Sequence, residues 1–237
     1  MKEQVISLFC QAVQSANITD LSYTLEPGMP VWPTHARFRA IVYETYDEGG
    51  VPMHRQLSLG EHTGTHLDAP KHFFKDGASI AEVDVTSVMG RGVMIDASFL
   101  KPCGVYTLDM LKDFEHKNGE IGEGDIILFH FGWEEKYGLG AAAEDFLKDW
   151  PGLSGDAAQY LLQKKVKAVG TDALALDPFG SEDYPSHYIL LGNGVLIIEN
   201  LTNLHKLPVF SYVIGLTNKV KDGSASPIRV IAFTDKG

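Results

Sequence analysis

The sequence predicts one α+β domain with more strands than helices. Three observations carry this. Short runs rich in β-branched and aromatic residues recur along most of the 237 residues. Only a few segments carry apolar residues at helical spacing. No repeat, low-complexity tract or linker divides a chain long enough for one large domain or two small ones.

Taken in order, residues 2–15 place Val5, Ile6, Phe9 and Val13 at helical spacing. They read as an amphipathic helix rather than a signal peptide. "EPGMPVWP" is a Pro/Gly-rich loop. Residues 38–45, "FRAIVYET", read as a strand. So does "MHRQLSLGEH", with Met53, Arg55, Leu57 and Leu59 on one face and His54, Gln56 and Ser58 on the other. "GVMIDAS" (92–98) is a short buried strand. Thr107 opens a helix over "TLDMLKDFEHK", with Asp109 in its first turn. "GEGDIILFHF" is a turn followed by a strand. The acidic, alanine-rich stretch 133–150 reads as helical. Ser154 is an N-cap for "GDAAQYLLQKK". "VKAVGTD" and residues 194–200, 208–216 and 228–233 return as strands.

Composition narrows the function. The chain is 44% hydrophobic and 22% charged, with a formal net charge of −11. No cluster of Lys and Arg offsets the acidic excess, which argues against nucleic acid and anionic membranes as partners. No apolar run approaches the ~18 residues of a membrane span. The two cysteines, Cys10 and Cys103, stand in no metal or redox spacing and fit a reduced, cytoplasmic compartment.

The densest chemical signal is "HTGTHLDAPKH", residues 62–72. An even spread of nine histidines would put about 0.4 of one in eleven residues, and this segment holds three. His62, His66, Asp68 and His72 all occupy even positions, so an extended chain would project them from one face. Gly64, two threonines and Pro70 disfavour a helix. A straight strand would hold His62 and His66 ~13 Å apart, too far to share an ion at ~2.1 Å bonds. The chain must therefore bend between them, and Gly64 is where it can. Imidazoles and a carboxylate suit zinc or manganese, and a carboxylate can bridge two ions.

"HTGTHLDAPKHF" resembles the H-x-G-T-H-x-D-x-P-x-H signature of the cyclase family, which includes bacterial kynurenine formamidase and isatin hydrolase. The resemblance runs from "DLSYTLEPGMPVWP" through "VGTDALALDP" and "PSHYILLGNGVLIIENLTNLHKLP" to "DGSASPIRV". It implies a swivelling β/β/α fold over residues 17–237, preceded by an N-terminal helix at 1–16. It also implies that His62, His66 and Asp68 bind a first metal and that Asp68 touches a second. His72 becomes the catalytic acid/base, and His187 and Glu199 complete the binuclear site. Two Zn per chain are the expected cofactors, with Mn as the alternative. Trp32 and Phe73 would line the substrate pocket. The working form would be a homodimer or homotetramer, with a small molecule as substrate.

Read without the family, Glu199 is an acid in the apolar run "LIIEN" and needs a partner or a metal. His187 alone would be an ordinary surface histidine. His35, His54, His116, His130 and His205 match no ligand position and read as structural or solvated. Relatives often carry Arg-Thr where this chain has His130-Phe131, "DGSASPIR" is longer than the usual Asp-Gly-Ser-Pro run, and the N-terminal helix is additional to the shorter formamidases. The expected reaction is metal-dependent hydrolysis of an amide-type C–N bond, in an aryl formamide such as N-formylkynurenine or a cyclic amide such as isatin. The alternatives are a cyclase or dehydratase acting on a small hydroxy acid, and a metal-binding protein without catalysis.

Overall fold

The computed structural model describes residues 2–236; Met1 and Gly237, at the outer ends of the two expected segments, lie outside the described residues. The chain opens with α1 (Lys2–Ser15) and β1 (Ala16–Asp20). A hairpin of β2 (Arg39–Glu44) and β3 (His54–Ser58) follows. After β4 (His66–Asp68) come β5 (Met89–Asp96), β6 (Val105–Tyr106), α2 (Leu108–Asn118), β7 (Ile126–His130), β8 (Gly152–Leu153), α3 (Gly155–Gln163) and β9 (Ala168–Thr171). The chain ends with α4 (Pro185–Leu191), β10 (Leu196–Glu199), β11 (Phe210–Thr217) and β12 (Ala225–Asp235).

Eight strands form one sheet in the order β1-β12-β11-β5-β7-β9-β10-β4. β4 also pairs with β12, so the sheet curls into a barrel-like ring. β5, β7, β9 and β10 run parallel, and the other pairings are antiparallel. β7 shows why its sequence is a continuous apolar run. Ile127 and Phe129 face a core shared with α2, α3 and α4, while Ile126 and Leu128 face a second core shared with β4, β11 and β12. A strand buried on both faces has no polar alternation to show.

Sequence and structure agree on the single strand-rich α+β domain. Thr107 caps α2 by accepting the Met110 N–H, and Ser154 caps α3 by accepting the Ala157 N–H. Two expectations fail. Residues 133–150 hold two short 3₁₀ turns, Trp133–Lys136 and Gly140–Ala143, instead of a helix. Gly132 and Gly140 take positive φ (72° and 58°), which punctuates the backbone. Trp133, Phe146 and Trp150 are buried and anchor the irregular path. The strand expected over 53–62 is only β3, and it is exposed along its whole length. Its alternation therefore marks no buried face. The amphipathic α1 is likewise exposed, with Val5, Ile6, Leu8 and Phe9 facing outward.

Candidate metal centre

The histidine segment bends where the spacing required. Gly64 adopts φ +62°, and a Cβ there would lie 2.8 Å from Met29 Cε. The turn brings the His62 and His66 rings to 5.0 Å between centroids. Beyond it, β4 sets His66 and Asp68 on one face, two residues apart. Pro70 then opens a 3₁₀ turn, Pro70–His72, that swings His72 back toward them.

Glu199 arrives by sheet register. β10 pairs antiparallel with β4 so that Glu199 stands opposite His66 and Ile197 opposite Asp68. His187 lies on α4, the helix leading into β10. The N-terminus of α4 is held by Asp177, whose carboxylate accepts the Ser186 and His187 N–H groups at 2.8 and 3.1 Å. The same carboxylate meets His187 Nδ1 at 2.6 Å and turns Nε2 toward Glu199 Oε1, 3.1 Å away. Pro185 at the first helical position suits the same helix start.

All six expected groups meet in one place, in a two-sided arrangement. Asp68 Oδ1 lies 2.8 Å from His62 Nδ1 and 3.4 Å from His66 Nε2, while Oδ2 lies 3.8 Å from His187 Nε2 and 3.9 Å from His72 Nε2. Glu199 divides in the same way, with Oε2 3.3 Å from His66 Nε2 and Oε1 toward His187. Each carboxylate thus turns one oxygen to the His62/His66 side and one to the His187 side.

This set fits a divalent cation. His66 Nε2 and both Asp68 oxygens are buried without a hydrogen-bond partner; the 2.8 Å approach of His62 falls outside hydrogen-bonding geometry. Orphaned buried polar atoms are costly and call for an explanation. Donor atoms of His66, Asp68 and Glu199, and those of His62, Asp68 and His72, each cluster within 4.8 Å. His66 Nδ1 lies 2.8 Å from the Gly64 carbonyl, which leaves Nε2 for a ligand, as Asp177 does for His187.

The electrostatics agree. Burial works against ionisation of Asp68, but His62, His66 and His72 outweigh it and hold its carboxyl well below the usual range. Burial opposes charge on His66, yet Glu199, Asp68 and the Gly64 carbonyl hold it up at about 9. Asp177 and Glu199 likewise outweigh burial and raise His187 to about 10. These protons occupy the place of a cation, and metal binding would release them. His72 differs: burial pushes it down to about 4, so its imidazole is neutral at neutral pH.

The groups open onto a cavity of about 400 Å³. Trp32 and Phe73 line it, as expected, and both also pack on the core. Phe73 stacks on His187 at 4.9 Å. The sequence reading missed His35, Leu174, Ala175, Tyr184 and Tyr188, which complete the walls. His35 stands three residues after Trp32, and Leu174, Ala175 and Tyr188 lie in segments that carried the resemblance. It also missed Asp177, although "LALDP" belongs to a segment that carried the resemblance. His130 and Phe131 do not line the cavity. Phe131 is core, stacked with Phe129 at 5.8 Å.

Comparison with known proteins gives the family of the chain. The family model named Cyclase matches residues 19–178. A kynurenine formamidase of Erythrobacter litoralis is 30% identical over 215 residues, covering 90% of this chain and 92% of that protein. An isatin hydrolase of Roseibium aggregatum is 33% identical over 196 residues, covering 76% and 74%. The crystal structure of an isatin hydrolase bound to the product analogue thioisatinate superposes with a TM-score of 0.91 at 28% identity, over 99% of both chains. With the family model across most of the chain and a relative at 30% identity over nine-tenths of it, the chain belongs to the cyclase family.

Proposed function

We propose that this chain is a metal-dependent hydrolase of an amide-type C–N bond in a small aromatic substrate, an aryl formamide like N-formylkynurenine or a cyclic amide like isatin. The observation that carries this is the two-sided placement of Asp68 and Glu199 between His62/His66 and His187. It supports two ions per chain, zinc first and manganese as the alternative. When bound, such ions lower the pKa of water toward ~7 and polarise a carbonyl. Asp68 and Glu199, together with His62, His66 and His187, would hold such ions. His72, 28% exposed and facing the cavity, takes a proton from water and delivers it to the leaving nitrogen. The products are a carboxylate and an amine, which balances one water against one amide. Trp32, Phe73, Tyr184 and Tyr188 stack on the aromatic ring and keep bulk water from the scissile bond.

The working form is a homodimer or homotetramer in the cytoplasm. Exposed Ile41, Val42, Tyr43 and Leu57 on the β2–β3 hairpin support the first statement, and light scattering tests it: a monomer with full activity overturns it. Cys10 and Cys103, exposed and unpaired, support the second. Among the described residues, no helix is long and apolar enough to cross a membrane.

The deciding assay follows three amides (N-formylkynurenine, formanilide and isatin) and a panel of small hydroxy acids before chelation, after it, and after zinc or manganese is restored. Hydrolysis of at least one amide, lost and regained with the metal, is expected. Dehydration or cyclisation of a hydroxy acid with no C–N cleavage would transfer the site to the alternative chemistry. Metal retention with no turnover of either class would reduce it to a binding protein.

A further inference from the structure

A second constellation lies outside the cavity, at the C-terminal ends of neighbouring parallel strands. His130 ends β7, Asp172 follows β9, and Glu134 stands one turn beyond His130. We propose that His130, Glu134 and Asp172 form a second divalent-cation site that takes one ion of the zinc class, with His205 at its mouth. Donor atoms of the first three residues all lie within 4.8 Å of one another.

The independent sign is His130 Nε2. The residue is 7% exposed, and this nitrogen is buried with no hydrogen-bond partner. It faces Glu134 Oε1 at 3.5 Å. That is long for a hydrogen bond, but two donors sharing one ion through ~2.1 Å bonds stand ~3.4 Å apart. His205 Nδ1 lies 3.0 Å from the same Oε1, and its ring is half exposed, so it can supply a fourth ligand and the entry path.

Charge points the same way. Asp96, Glu134 and Asp172 gather around His130, and among the described residues their ion pairs are to imidazoles only. Asp172 is fully buried, and burial lifts its carboxyl to about 6. A buried carboxylate pair is expensive without a cation.

The carboxylates are held before any ion arrives. Asp172 accepts the N–H groups of Phe131, Trp133 and Glu134 at 2.9, 2.8 and 3.3 Å. Glu134 accepts the backbone N–H groups of Asn203 and His205 and the Thr202 hydroxyl. One imidazole and two carboxylates suit zinc, whereas calcium would need six or more oxygens. An ion here would pin the end of β7 to the segment that follows Glu199.

The test counts metal in the full-length protein after zinc loading and exhaustive dialysis. If the proposed function and this site both hold, the wild type carries about three ions and His130→Gln about two. Replacing His62, His66 and His187 together by Ala, which strips both catalytic positions of imidazole, keeps about one, and adding His130→Gln removes it. The triple variant separates the two ideas, because its residual ion does not depend on the catalytic reading. Equal metal in wild type and His130→Gln, or none left in the triple variant, overturns the proposal. If His130→Gln fails to fold, anomalous scattering at the zinc edge from wild-type crystals decides. A peak between His130 and Glu134 is expected, and none there with the catalytic centre filled overturns the site.

Discussion

Asp177→Asn is the sharpest test of how the centre is held together. The Asp177 carboxylate is buried and serves three donors: the Ser186 N–H through Oδ1, and the His187 N–H and Nδ1 through Oδ2. Asparagine keeps the shape but has one acceptor oxygen. Whichever way the amide turns, an NH₂ group faces at least one donor. In the better orientation the Ser186 N–H is left unsatisfied in the core, which costs roughly 1–3 kcal/mol. The contact to His187 falls from a charge-assisted hydrogen bond to a neutral one of about half the strength, or about 1 kcal/mol less. The total of roughly 2–4 kcal/mol should lower Tm by about 5–15 °C in a domain of this size. The imidazole also loses the partner that fixes its tautomer and raises its basicity, so metal affinity should fall about 10–100-fold. Calorimetry reads the first effect, and zinc competition against a chromophoric chelator reads the second. A variant with wild-type Tm and wild-type zinc affinity would refute the argument, because Asp177 would then be a bystander to α4 and to His187.

His72→Ala should keep its metal and lose roughly 10²–10⁴-fold in rate, the range of a general acid/base; parallel loss of metal by elemental analysis would make His72 a ligand instead. His187→Ala should empty one position and leave about one catalytic ion per chain, and Glu199→Gln should lower both occupancy and turnover, since an amide cannot bridge as an anion. Two ions and normal turnover in both variants would remove the downstream half from the centre.

The upstream half of the site was legible because its constraint is local. Three imidazoles and a carboxylate at even spacing cannot share an ion along a straight strand, and one glycine stands where the chain can turn. The structure puts positive φ at Gly64, a conformation that glycine adopts without strain. The helix caps at Thr107 and Ser154 were legible for the same reason, since a hydroxyl three residues before a free N–H is a local event. Residues 133–150 have the acidic, alanine-rich composition of a helix but not its continuity. Glycines at 132, 138 and 140 interrupt any helix there, and the buried Trp133, Phe146 and Trp150 hold the chain to the core.

The downstream half offered one local sign, Glu199 in an apolar run, and nothing local that placed it or His187. α4 holds seven residues and starts at a tyrosine in the left-handed region, with its cap supplied by Asp177 from outside the helix. β4 holds three residues, fewer than two full periods of strand alternation. Yet this strand, the shortest of the eight-stranded sheet, assembles the site. It lies between β10 and β12, and its register with β10 sets Glu199 against His66 across 133 positions of sequence. A slip of one residue would turn Glu199 to the other face of the sheet. Burial of Leu67 on one side of β4, against Ile198 and Ile126 in the barrel core, is what forbids that slip. The apolar packing of the ring therefore fixes where the second carboxylate stands, and the spacing of ligands along the chain does not.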